Sequence, residues 1–263
     1  MRGRLAANHL VIALVLALTV PGTVYSCPAL QLNIGNGTYG TSLTELLDPG
    51  TIIAPPGTNS FTLYAYMKPD NRGVNTIDDW YYISAALVPK VGPGYANLGS
   101  FSYQPEGGSL RTVNVTGDMT YGVPPIEANG TAGQDPGDLP THGIFKTFFY
   151  EIPFQFLSAN KTTIFDTQDY PGKIPTINTT SGNGYFAPFE FNISGLDTDY
   201  LLHFDLYNEK VKCGDIDIEA KAPFSHDAES NHSIPPVPAP GTMLLLGSGL
   251  VGLAGWGRKK FRK

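Results

Sequence analysis

Of five histidines, four lie in the body of the chain, His142, His203, His226 and His232, and imidazole is the side chain best suited to bind a metal or move a proton near neutral pH. None stands at the His-Glu-x-x-His spacing that places two imidazoles on one face of a helix for zinc. His142 closes the run DPGDLPTH that begins at Asp135, and His226 sits between Ser225 and Asp227. A serine nucleophile needs a histidine and an acid assembled by the fold, and no Gly-x-Ser-x-Gly elbow is present to expose one. The histidines and their polar neighbours therefore read as loop residues that start turns and bond their own backbone. A pair of glycosidase carboxylates needs only that two acids meet in space, and no pair stands out. The chain reads as non-enzymatic, with a hydrolase the least favoured function.

No motif calls for a cofactor. Calcium is the cation that acid-rich loops could take, since hard cations prefer carboxylate and carbonyl oxygens. The candidate ligands are Asp135 with Asp138, Asp197 with Asp199, and the alternating set Asp215, Asp217 and Glu219, which a strand would place on one face. There is neither an EF-hand loop nor a calcium-binding nonapeptide repeat. Two cysteines are too few for a cysteine metal cluster, but after export a single Cys27–Cys213 disulfide is chemically allowed. The aromatic runs Trp80-Tyr81-Tyr82 and Phe148-Phe149-Tyr150 could stack on sugars or fill a core.

The elements that must carry these residues are strands. Gly 30 and Pro 22 punctuate a chain rich in aromatic and β-branched residues. Ser60 to Lys68 alternates with Phe61, Leu63, Ala65 and Met67 on one side, the period of two of a half-buried strand. Further strands are predicted over 80–88, 98–103, 110–116, 145–156, 185–193, 200–207 and 216–220, with a short helix only over 41–47. Turn signals such as Lys68-Pro69-Asp70-Asn71 and Asp135-Pro136-Gly137-Asp138 separate them. Many short strands at such spacing indicate an all-β fold, a β-sandwich or jelly roll. It is expected over 27–221, with 222–234 a polar, Pro-rich linker.

The ends carry targeting chemistry. Arg2 and Arg4 precede the apolar run Leu10–Val20, and small or polar residues follow to Ser26, the layout of a signal peptide over 1–26 cut between Ser26 and Cys27 by signal peptidase. A cysteine at that first position also raises lipid attachment, to which Tyr25 is poorly suited. At the other end a Pro-rich stretch (Ile234–Pro240) leads into an apolar run, 242–257, and then Arg258, Lys259, Lys260, Arg262 and Lys263. As a helix that run would span roughly 24 Å at about 1.5 Å per residue, short against a hydrocarbon core of about 30 Å. The cations would stay inside and hold the body outside. Seven of the 17 basic residues lie in these two ends, so the body carries ten against 23 acids, a net of −13. Such a charge repels phosphate backbones and excludes nucleic acid as a partner.

On these residues the tail VPAPGTMLLLGSGLVGLAGWGRKKFRK resembles the PEP-CTERM sorting signal of Gram-negative bacteria, a Pro-rich motif, a Gly-rich apolar helix and a basic cluster recognised by an exosortase. The motif falls on Val237, Pro238, Ala239 and Pro240, with Ala239 where the family usually has Glu, and the whole signal on 235–263. The resemblance implies an inner-membrane precursor tethered by its C-terminal helix, cleavage by the exosortase, and delivery to the cell surface or extracellular matrix. The segments FTLYAYMKP, YYISAALVPKVGP, HFDLYN and GDIDIEAKAPFSHDAES look like the choice-of-anchor N surface proteins, a resemblance that covers most of 31–230 and brings no catalytic residues with it.

The expected function is a structural or adhesive role in the envelope or matrix, with an exopolysaccharide-binding module as the alternative. Native protein is expected to lack both terminal segments, beginning at Cys27 and ending near Pro240. Intact mass spectrometry checks this, and a species still ending at Lys263 would contradict processing of the tail.

Overall fold

The structure, a computed structural model, describes residues 27–41, 50–70, 72–126 and 137–232. The signal peptide, nearly all of the helix expected over 41–47, Asp135 and the sorting signal lie outside these residues. In chain order the first seven strands are β1 (Leu30–Ile34), β2 (Thr38–Gly40), β3 (Thr51–Ile53), β4 (Ser60–Met67), β5 (Tyr81–Val88), β6 (Ser100–Pro105) and β7 (Arg111–Asn114). The remainder are β8 (Thr120–Gly122), β9 (Thr147–Phe154), β10 (Lys161–Thr162), β11 (Gly184–Asn192), β12 (Leu201–Lys212), β13 (Asp215–Lys221) and β14 (Asp227–Glu229). One 3₁₀ turn, Phe224–His226, precedes β14. There is no α-helix among the described residues, as the composition predicts.

One sheet runs β1-β4-β11-β6-β7 with β10 beside β11, and the other runs β2-β3-β14-β12-β5-β9-β8 with β13 beside β12. Every pairing is antiparallel except that of β14 with β3. Alternation decides what each strand buries. Phe61, Leu63, Ala65 and Met67 of β4 point inward as their spacing predicts, and meet Leu202, Phe204 and Leu206 of β12 in one apolar cluster drawn from both sheets. Rings cross the gap: Phe204 lies 4.8 Å from Phe191 and 6.0 Å from Phe61, and Phe154 lies 5.0 Å from Phe189. Aromatic side chains dominate because a core between two sheets is about 10 Å thick, a depth that large flat rings fill in edge-to-face pairs.

The second sheet is also covered on its outer face. Ala86, Val88, Phe149, Leu201 and Tyr207 point away from the main core and pack under Val123, Leu139, Ile144 and Phe145 of the long connection from β8 to β9. That layer takes the middle of the sheet out of water on both sides. It sets the environment of every outward side chain on β12.

One expectation fails here. The segment 222–234 is not a linker through its described part, because β14 slots between β12 and β3, with Ala228 wholly buried in the core. Ser230 N–H donates to Leu202 O, and the Asn231 side chain donates to Ala54 O at 3.2 Å. A strand of three residues with one apolar side chain carries no periodic signal, so its polarity read as linker. The Cys27–Cys213 bridge that export would allow is not formed. Cys27 packs beside Tyr66, Ile164 and Phe186 on the outer face of the first sheet, whereas Cys213 is exposed in the turn between β12 and β13.

A chain cut after Lys221 would lose β14 and expose the edges of β3 and β12, whereas one cut after His232 keeps both pairings. The shorter chain is expected to lose cooperative urea unfolding and the longer one to retain it. Circular dichroism during a urea titration measures the difference.

Candidate functional site

Period two on β12 sends Leu202, Phe204 and Leu206 into the core, so His203, Asp205 and Tyr207 face outward under the covering layer. On the neighbouring strand Ala228 points into the core, and Asp227 and Glu229 therefore share the outward face. The antiparallel register sets His203 against Glu229 and Phe204 against Ala228, which brings Asp227 alongside Asp205. Two short patterns, His-x-Asp and Asp-x-Glu, thus place four ionisable side chains on one patch of buried sheet.

The covering loop supplies a fifth. Ile144 N–H and Phe145 N–H both donate to Thr141 O, closing a tight turn in which His142 has φ 27° and Gly143 φ 96°. A histidine at positive φ is strained backbone, and such strain concentrates at functional positions. The His142 ring stacks on Phe224 at 3.9 Å and 11°, and Lys221 Nζ lies 3.4 Å from the centre of the Phe224 ring. The imidazole is thereby turned down onto the sheet.

His142 Nε2 lies 3.3 Å from His203 Nε2 and 3.3 Å from Asp205 Oδ1. His203 Nε2 lies 3.4 Å from Asp227 Oδ2 and 3.9 Å from Asp205 Oδ1. The outer ring nitrogens face acceptors, His142 Nδ1 at 2.8 Å from Pro140 O and His203 Nδ1 at 3.8 Å from Glu229 Oε2. The four side chains that converge are 0–5% exposed. Asp205 Oδ2 and Asp227 Oδ1 are buried and meet no hydrogen-bond donor among the described residues.

Burial drives the His203 pKa down, but the Asp227, Glu229 and Asp205 carboxylates outweigh it and hold it well above the ordinary value. His142 is likewise raised, burial being overcome by Asp205. Burial tends to raise Asp205, yet the two histidines and Lys221 hold it down. Asp227 is pushed up, chiefly by its burial. The patch thus sets three carboxylates, Asp205, Asp227 and Glu229, against two histidines, with Lys221 at its edge.

None of the calcium candidates among the described residues belongs to it. Asp217 pairs with Lys212 at 3.1 Å and Glu219 with Lys210, while Asp215 accepts its neighbour's N–H in the hairpin turn. Asp138 reaches the same face of β13, where a cavity of about 410 Å³ is lined alternately by acids and by Lys212 and Lys221. Lysines already pair with Asp217 and Glu219. Asp197 accepts the Asp199 N–H at 3.1 Å, an ordinary turn.

A serine line also exists, though not with the acid that its sequence neighbour suggests. Ser225 Oγ lies 2.9 Å from His226 Nδ1, and His226 Nε2 lies 3.1 Å from Asp166 Oδ1. The Ser225 carbonyl is taken by the Gln168 amide at 2.8 Å. Gly50 approaches so closely that a Cβ there would stand 2.8 Å from the Ser225 Cα, while Ser225 itself stays half-buried. The aromatic runs are largely spent on packing: Tyr81, Phe148 and Phe149 are buried, Tyr82 stacks on Tyr207 at 5.9 Å, and of the first run only Trp80 is exposed.

The histidine patch was missed because its members are scattered and the loop reading treated each histidine alone. The available signal was the i, i+2 spacing of His203 with Asp205 and of Asp227 with Glu229, since such pairs share a face on a strand.

Residues 236–259 match the PEP-CTERM protein-sorting motif. No curated protein and no solved structure matches the chain. The motif marks an exosortase substrate that is exported, held at the membrane as a precursor and delivered to the cell envelope or extracellular space. No helix among the described residues is long and apolar enough to cross a membrane, and the apolar run 242–257 lies outside them.

Beside the patch, Glu151 accepts hydrogen bonds from Tyr207 Oη and from Ile126 N–H, and burial raises its pKa. A carboxyl raised by folding contributes most stability below its ordinary pKa and loses it as pH rises through the folded-state value. Glu151→Gln keeps an acceptor and removes the charge. It is expected to leave the melting temperature equal or higher at pH 7 and to flatten its decline from pH 4.5 to pH 7, as read by scanning calorimetry.

Proposed function

We propose that the exported body is a non-catalytic structural or adhesive component of the cell surface or extracellular matrix, delivered by the C-terminal signal after its helix has tethered the precursor. The observation that supports this reading is the closure of the His142–His203–Asp205–Asp227 patch, whose side chains are at most 5% exposed. Catalytic groups must touch substrate, and groups sealed between a sheet and a packed loop serve the fold instead. A kinship of the body with the choice-of-anchor N surface proteins, which brings no catalytic residues, is part of the same proposal.

Cells producing the full chain are expected to carry it in the surface or matrix fraction, and cells producing a chain ended at His232 to shed it. The purified body should turn over no ester, glycoside or peptide substrate and should bind no saccharide on a glycan array or in a pull-down with isolated exopolysaccharide. Saturable binding to a saccharide would replace the structural reading with a carbohydrate-binding one. Hydrolysis abolished by Ser225→Ala would overturn it in favour of an enzyme.

A further inference from the structure

We propose that His142 Nε2, His203 Nε2, Asp205 Oδ1 and Asp227 Oδ2 form a structural binding site for a single zinc-class divalent transition-metal ion that fastens β14 to the sheet. This inference is independent of how the protein is sorted and of whether it is adhesive.

Geometry carries it. The four candidate ligand atoms lie within 4.8 Å of one another, and four of the separations between them are 3.3, 3.3, 3.4 and 3.9 Å. A tetrahedron with bonds of about 2.0–2.1 Å to nitrogen and oxygen has edges of about 3.3 Å. A cation at its centre would draw the wider separations, which reach up to 4.8 Å, in toward that edge length. The two Nε2 atoms face each other, an arrangement that a shared metal explains directly.

The surroundings fit the same chemistry. A metal-bound imidazole donates its other N–H to a carbonyl or carboxylate, which fixes the tautomer and aims the free lone pair. Here Pro140 O stands behind His142, and Glu229 behind His203. Two carboxylate ligands neutralise a divalent ion, and Glu229 is left facing His203 Nδ1 at 3.8 Å, an ion-pair distance. Asp205 Oδ2 and Asp227 Oδ1, which lack donors among the described residues, belong to the two carboxylates that would bind. Two imidazoles in a four-ligand set favour zinc, with cobalt as a spectroscopic substitute, over calcium, which takes six to eight oxygens.

The ligands come from three separate pieces of chain: the loop before β9, the middle of β12 and β14. A single ion there would cross-link the covering loop and the last strand to the centre of the sheet. A site this enclosed exchanges metal slowly and loads as β14 docks.

The test uses the exported protein purified without chelator, with metal content read by inductively coupled plasma mass spectrometry. About one zinc per chain is expected. Protein stripped in denaturant with chelator and refolded should melt several degrees lower, regain its melting temperature on addition of Zn²⁺ alone, and with Co²⁺ show the intense visible bands of tetrahedral cobalt. His142→Ala and Asp227→Asn should each weaken Zn²⁺ binding by about 100-fold or more, and Glu229→Gln by about 10–100-fold with the cobalt spectrum retained. Asp217→Asn, in the lysine-paired set on β13, should bind normally. Hydrogen exchange at 227–231 should accelerate in stripped protein. The proposal is overturned if Zn²⁺-treated wild type retains no metal and its melting temperature does not move, if Co²⁺ gives no tetrahedral spectrum, or if His142→Ala and Asp227→Asn bind Zn²⁺ undiminished. The spectrum of the wild type decides the matter even should both variants fail to fold.

Discussion

The structure turns on the first two thirds of β12, residues 201–208, being buried on both faces. A strand in the middle of a sheet normally shows one face to water, and a polar residue on that face needs no further explanation. Here the loop between β8 and β9 and the turn before β14 seal the outward side, so every polar group on it must find a partner within the protein. An ionised group left alone in such a place costs several kcal/mol. That requirement explains why His142 is held at positive φ, why Phe224 braces its ring, and why the short, acidic β14 is placed beside β12 and nowhere else. The outward row continues into Tyr207 and Glu151, which answer the same demand with a hydrogen bond instead of opposed charges.

The fold was largely legible because its strong signals are local. β4, β5, β9, β11 and the first half of β12 follow alternation of two with large apolar side chains, and alternation is a property of consecutive residues. What could not be read depends on partners remote in sequence. β1, β3 and β14 are three to five residues long and fully buried, and their membership in a sheet comes from neighbours that local pattern cannot name. The patch failed to appear for the same reason. His142 lies in the loop before β9 and Asp227 in β14, and only the register of β14 on β12 brings them to the same patch. Asp215, Asp217 and Glu219 were correctly placed on one strand, and Lys210 and Lys212 across the hairpin account for Asp217 and Glu219 without a cation.

The two halves of the sequence evidence therefore differ in kind. A sorting motif is read linearly by its receptor, so matching residues 236–259 speak for themselves. The body's chemistry is an outcome of folding, and linear inspection dispersed it into loops. Its acidity is likewise partly internal: some of the 23 acids counted in the sequence are not surface charge at all, since Asp205, Asp227 and Glu229 are enclosed. The field felt by an approaching molecule is correspondingly weaker than the formal charge suggests.

The position of β14 also sets a timetable. β2 and β3 arise near the start of the body, yet the second sheet reaches them only through β14, the last strand of the described chain. In a chain that emerges N-terminus first, β3 waits with one edge unpaired until nearly the whole body has emerged. Unpaired edges invite association with neighbouring chains. The interval of greatest vulnerability is thus the final moment of translocation, when the tail is entering the membrane and crowding among nascent molecules is decided by how quickly three residues find their slot.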